Sequence, residues 1–157
     1  MVSFNDIKEK LWLISIIAGI LGFIAIVTPV WGYMSGGSYV AGWIFGLVLH
    51  DGDFDFISTD EPVVILGDYI AIALIVGVIL LLVGGILSRK KDRDINLLYL
   101  IGGIILLGGI IAFMAGTAAI YSSWWLYYTV HIGAILAYIG GGLAIAAGVI
   151  GIMEKRK

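Results

Sequence analysis

Apolar residues in this chain gather into four long runs, Leu11–Val30, Tyr69–Leu87, Ile95–Ile120 and Leu126–Met153, parted by short polar segments. Each run holds at least 19 residues and none contains Asp, Glu, Lys or Arg. At roughly 1.5 Å rise per residue, such a run crosses a hydrocarbon core of about 30 Å. Only helices and closed barrels satisfy their backbone there, and these runs lack the alternation of a barrel strand. The pattern predicts four membrane-spanning helices in one domain over 1–157, with outer loops 31–68 and 121–129 and an inner loop 88–94. Lys8 and Lys10 precede the first run as they would precede a signal peptide. That run has 20 residues and no small-x-small site before Trp31, so it is expected to stay as a span.

Between the first two runs the period changes from helical to two. Trp43, Phe45, Leu47 and Leu49 alternate with Ile44, Gly46, Val48 and His50, and Phe54 and Phe56 alternate with Asp53 and Asp55. Asp51-Gly52 sits between the two stretches and is the dipeptide favoured by a two-residue type I′ hairpin turn. Closing that turn pairs His50 with Asp53, Leu49 with Phe54, Val48 with Asp55 and Leu47 with Phe56. One face then carries Trp43, Phe45, Leu47, Leu49, Phe54 and Phe56, and the other His50, Asp53 and Asp55. The apolar face calls for a cover: helix tops, further strands or a partner. Residues 62–67 offer a third strand.

Charge adds an orientation. All nine Lys and Arg lie at 8–10, 89–93 and 155–157, and the two alternate connections have none. Basic residues stay on the cytoplasmic side, so both termini and the 88–94 loop are expected inside and the protein in the plasma membrane. The inner segments hold nine basic against five acidic residues. The outer ones hold six acids (Asp51, Asp53, Asp55, Asp60, Glu61, Asp68), so the net charge of −2 conceals two opposite ends. Composition agrees, with 61% hydrophobic and 13% charged residues and a mean hydropathy of +1.10. Cysteine is absent, which removes disulfides, thiol catalysis and thiolate metal sites.

Spans without ionisable groups argue against proton-coupled transporters, voltage sensors and pumps. His131 stands alone near the end of the fourth run, so haem ligation by paired histidines is not expected. Glycine is what the spans do contain. Gly102, Gly109 and Gly116 repeat every seven residues; Gly108, Ala112 and Gly116 every four; Gly133, Ala137 and Gly141 form a further row. Small residues at these spacings let helices approach closely, either within one bundle or against a neighbouring subunit. Aromatics mark the boundaries: Trp12 and Tyr99 at the inner one, and Trp31, Tyr33, Tyr69 and the Trp124–Tyr128 group at the outer one. Trp124 and Trp125 are read as membrane anchors or as a partner-binding surface.

Chemistry is sparse. An EF-hand loop counted from Asp51 needs Gly at its sixth position and Glu at its twelfth, where the chain has Phe56 and Pro62. A looser carboxylate pair, Asp53 and Asp55, shares one strand face; otherwise these acids solubilise the hairpin and guard its edge. No nucleophile–base set, metal cluster or phosphate loop is present, so neither enzyme activity nor a cofactor is expected.

The arrangement resembles the claudin-type tetraspan superfamily. Trp31 stands where that family has its first outer-loop Trp, and Gly42-Trp43 resembles a shortened Gly-Leu-Trp. The family's two cysteines fall at Leu47 and near Phe56 or Ile57, so an apolar pair stands where the family has a disulfide. The resemblance implies an all-α four-helix transmembrane bundle with a small β element, an extracellular antiparallel sheet over its outer end. It also implies a non-enzymatic protein that self-associates or contacts a neighbour through that sheet, as in cell adhesion. Claudin-like proteins that conduct ions use acids on the equivalent sheet, which points to Asp53 and Asp55. Two alternatives stay open: an accessory subunit of a larger membrane complex, and an oligomeric cation channel lined by outer-loop acids. The expected partners are membrane lipid, copies of the chain or other membrane subunits, with no nucleic acid.

Overall fold

A computed structural model describes residues 9–35, 37–89 and 95–154. The basic residues at 8, 90, 91, 93 and 155–157, on which much of the expected orientation rests, lie outside them. In chain order the elements are α1 (Leu11–Val27), β1 (Trp31–Ser35), β2 (Ser38–Gly42), β3 (Leu47–His50), β4 (Asp53–Phe56), α2 (Pro62–Ser88), α3 (Asn96–Ile120), the short α4 (Trp124–Tyr127), β5 (Thr129–Val130) and α5 (Ile132–Glu154). The protein is mostly helical with one small antiparallel sheet. Among the described residues three helices, Pro62–Ser88, Asn96–Ile120 and Ile132–Met153, are long and apolar enough to cross a membrane, and Leu11–Val27 is a shorter apolar helix.

The four longer helices pack antiparallel in a ring, α1 against α2, α2 against α3, α3 against α5 and α5 against α1. The glycine rows explain how. Gly102 and Gly109 on α3 receive Leu81 and Leu74 of α2, each placing a leucine carbon 2.8 Å from where a Cβ would stand, and Gly116 receives Leu66. The seven-residue repeat is thus a seam within the chain. On α5, Gly133 lies under the backbone carbonyls at the end of α1, Gly141 against Leu107 of α3, and Ala137 is buried. Gly108 and Gly142 face open space. Two polar side chains reinforce the interior: Ser15 donates to the Leu81 carbonyl at 2.8 Å and Tyr99 to the Gly84 carbonyl at 3.3 Å. Tyr99, one turn into α3, is buried within the bundle.

Three helix boundaries differ from the apolar runs. The first helix stops at Val27 because Thr28, preceding Pro29, is extended. The second starts at Pro62, so residues 62–67 form two helical turns and not a third strand. Proline suits the first helical position, and the buried Val63, Gly67, Ile70, Leu74, Gly77 and Leu81 follow the helical repeat. The last helix starts at Ile132, since Thr129–Val130 is drawn off as β5 to pair with Gly32 and Trp31.

The sheet has the order β4-β3-β2-β1-β5 and caps the end of the bundle where α1 and α3 finish and α2 and α5 begin. It is keyed to the helices through the turn between β2 and β3. Ile44 is buried over Gly67, where a Cβ would run into the Ile44 carbonyl oxygen. Gly46, at φ +81°, lets the chain turn back over Val64.

Candidate functional site

The sheet end gathers most of the residues singled out in the sequence. The β3–β4 hairpin has the predicted register, Leu47↔Phe56, Val48↔Asp55, Leu49↔Phe54 and His50↔Asp53. Asp51 and Gly52 both take positive φ, 50° and 101°, as a type I′ turn requires. Asp53 and Asp55 thus share one face with His50, as expected.

The turn is fixed by a contact the sequence did not suggest. The Asp51 carboxylate accepts the Tyr39 backbone N–H at 2.7 Å and the Ser38 hydroxyl at 3.0 Å, latching the second hairpin to the first. The His50 imidazole faces Asp51 at 3.5 Å rather than its cross-strand neighbour Asp53. The Tyr39 N–H, then the Ser38 hydroxyl, hold the Asp51 carboxyl below its ordinary value. Asp55 turns to its own strand, its carboxylate accepting the Phe56 N–H at 2.7 Å. Among the described residues no group of three His, Asp or Glu side chains converges as a metal ion requires.

The strand expected to begin at Trp43 begins at Leu47, because the positive φ at Gly46 breaks the extended run. Trp43 therefore leaves the pleat. Its indole N–H donates to the Val27 carbonyl at 2.9 Å, at the end of α1, and its ring lies 6.0 Å from that of Phe54. Ile44, expected on the opposite face, is the plug over Gly67. The apolar face keeps Leu47, Leu49, Phe54 and Phe56, and it is not covered by helix tops or further strands: Phe54 and Phe56 are 65% and 67% exposed.

Beside the sheet stands an aromatic cluster. Trp31 is buried with Trp124 and Tyr128 edge-on at 5.1 and 4.9 Å, and Trp124 stacks on Tyr121 at 5.6 Å. The Tyr121 hydroxyl donates to Glu61 at 2.7 Å, and that bond raises the Tyr121 pKa. The Trp125 indole N–H donates to the Met114 carbonyl at 2.9 Å, tying α4 to α3. Both Trp124 and Trp125 are half-buried against their own chain. The buried Trp124 indole N–H has no partner among the described residues, and nothing in the structure explains it. The side chains left most open here are Met34, Leu126 and Tyr127, which rim a cleft of about 480 Å³ with Tyr33 and Tyr128. Tyr127 belongs to the Trp124–Tyr128 group singled out in the sequence; Met34 was missed because it lies in a strand with no alternation, and Leu126 because it reads as part of an apolar run.

No protein-family model matches this chain, and no curated protein matches it.

Proposed function

We propose that the chain is a non-enzymatic, claudin-like, four-span protein of the plasma membrane. In this reading its termini are cytoplasmic, and it contacts a second copy or a neighbouring membrane protein through the outward-facing sheet. One observation carries the reading: the sheet end presents uncovered apolar side chains beside acids. Met34, Leu126 and Tyr127 stay exposed around one cleft, at the sheet end that also carries Asp53 and Asp55. Monomeric surfaces seldom leave contiguous apolar patches open unless something binds them. Arg89, by contrast, lies at the other end of α2, its guanidinium 5.4 Å from the Trp12 ring. That separation of charge supports the orientation, with the sheet outside. In this setting the outer acids draw cations toward any groove between copies, which keeps a cation-conducting oligomer within the same reading.

A second reading, an accessory subunit docked through its helices, rests on Gly108 and Ala112. They lie on an exposed face of α3, with open space over Gly108. Small residues are how membrane helices meet.

Native mass measurement in mild detergent separates the two, and the absence of native cysteine makes accessibility labelling clean. Self-association lost in Met34→Ser/Tyr127→Ser but kept in Gly108→Leu is the expected result. Loss only in Gly108→Leu favours the accessory reading. Ser58→Cys and Ser123→Cys should react with an impermeant reagent outside intact cells and Ser88→Cys should not; the opposite pattern overturns the orientation.

A further inference from the structure

The β3–β4 hairpin leaves a patch whose position in the fold says what meets it. Register places Leu47 beside Phe56 and Leu49 beside Phe54, so four apolar side chains form one continuous surface. Asp53, Asp55 and His50 all stand on the opposite face. We infer that this apolar face rests on the outer leaflet at headgroup level beside α1, with the Phe54 and Phe56 rings turned into the lipid. The inference rests on the membrane-spanning reading above.

Three observations locate it. First, height: the Trp43 indole N–H donates to the Val27 carbonyl, so its ring, 6.0 Å from that of Phe54, stands beside the last turn of α1. Second, continuity: Phe23 and Val27 are exposed, so α1 presents apolar surface up to the sheet end where Trp43 and Phe54 stand. Third, length: α1 has 17 residues against 27, 25 and 23 in α2, α3 and α5. At about 1.5 Å per residue it reaches only about 25 Å, short of a hydrocarbon core of about 30 Å. The one helix that falls short is the one at whose sheet end Trp43 and Phe54 stand.

Backbone chemistry limits the depth. β4 is an edge strand with unpaired peptide groups, which hydrocarbon does not tolerate. Asp55 occupies one of them by accepting the Phe56 N–H, and its own charge stays on the water side. The strand therefore lies among headgroups and only the rings enter, as in the aromatic belts of membrane proteins.

The test places an environment-sensitive fluorophore on single cysteines at Asp53, Phe54, Asp55, Phe56 and, as a spanning control, Ile79, an exposed residue in the middle of α2. The variants are reconstituted in phosphatidylcholine vesicles and quenched by lipids spin-labelled near the headgroup, by lipids labelled deep in the chain, and by aqueous iodide. The thermal transition of each labelled protein checks its fold, and Phe54→Trp fluorescence replaces any labelled variant that loses it. Headgroup-level quenching severalfold stronger at 54 and 56 than at 53 and 55, with iodide showing the reverse, is the expected result. Equal quenching at all four hairpin positions, with deep quenching at Ile79 intact, overturns the inference alone. Loss of deep quenching at Ile79 overturns the spanning reading beneath it. Shielding of 54 and 56 from iodide that disappears as protein is diluted into excess lipid would assign the patch to a second copy, and the inference falls.

Discussion

The two hairpins of the sheet are nearly the same size and opposite in character. In β1–β2, Trp31 pairs with Gly42, and a Cβ on Gly42 would strike the Trp31 ring. Val40 and Ala41 are buried, so both faces of β2 are covered. In β3–β4, every residue of β4 is exposed and the faces divide cleanly into apolar and acidic. The first hairpin is built inward, large against small, and its sequence shows no alternation. The second is built for two different surroundings, and its alternation is plain. A strand pattern that is easy to read belongs here to the element the chain itself does not cover.

The contrast can be broken most forcefully at Trp31. Trp31→Ala removes the ring that Trp124 and Tyr128 meet edge-on and opens a void over Gly42, so it should destabilise the fold by about 3–5 kcal/mol. Thermal unfolding in detergent measures this; a loss no greater than that of a surface variant would erase the distinction between the hairpins.

A smaller effect is expected at the joint between them. The Asp51 carboxyl titrates lower in the folded chain than in the unfolded one. It therefore contributes stability that is present above the ordinary carboxylate range and is lost as pH falls through its lowered folded value. Amide-exchange protection factors at Tyr39 and in the β3–β4 turn, corrected for the intrinsic rate, should fall on acidification below about pH 4. Asp51→Asn should exchange faster already at neutral pH and lose most of that acid response. An unchanged acid response in the variant would place the titrating group elsewhere.

The smallest effect belongs to the exposed face. In detergent, Phe54→Ser/Phe56→Ser should shift stability by no more than about 0.5 kcal/mol, as surface changes do. A larger loss would mean that these rings are packed against the chain after all.

What could be read in the sequence follows the same division. Asp51-Gly52 with flanking alternation fixed the β3–β4 register residue by residue, since turn chemistry and period two act locally. The β1–β2 pairing was not legible, because its partners are chosen by shape across strands. The end of β3 at Gly46 was hidden for a similar reason: its positive φ serves the contact with Val64, far along the chain. Residues 62–67 misled because six mostly apolar residues suit a strand as well as a helix. Only continuation of the buried positions through Ile70 and Leu74 decides between them. At the candidate site, Asp53 and Asp55 were placed correctly on one face. The latch made by Asp51 needed Tyr39, twelve residues away and invisible to local patterning.

The seat of Ile44 on Gly67 has a mechanical side. A helix in a bilayer turns about its own axis easily unless something blocks it. Here the carbonyl of a β-turn lies where any larger residue on α2 would stand, and Val64 packs under Gly46 one turn before. Rotating α2 would sweep a side chain into that turn, so the sheet acts as a key in the helix's slot. A turn of α2 would therefore press first on the β2–β3 turn, while β4 is held by the sheet on one side only.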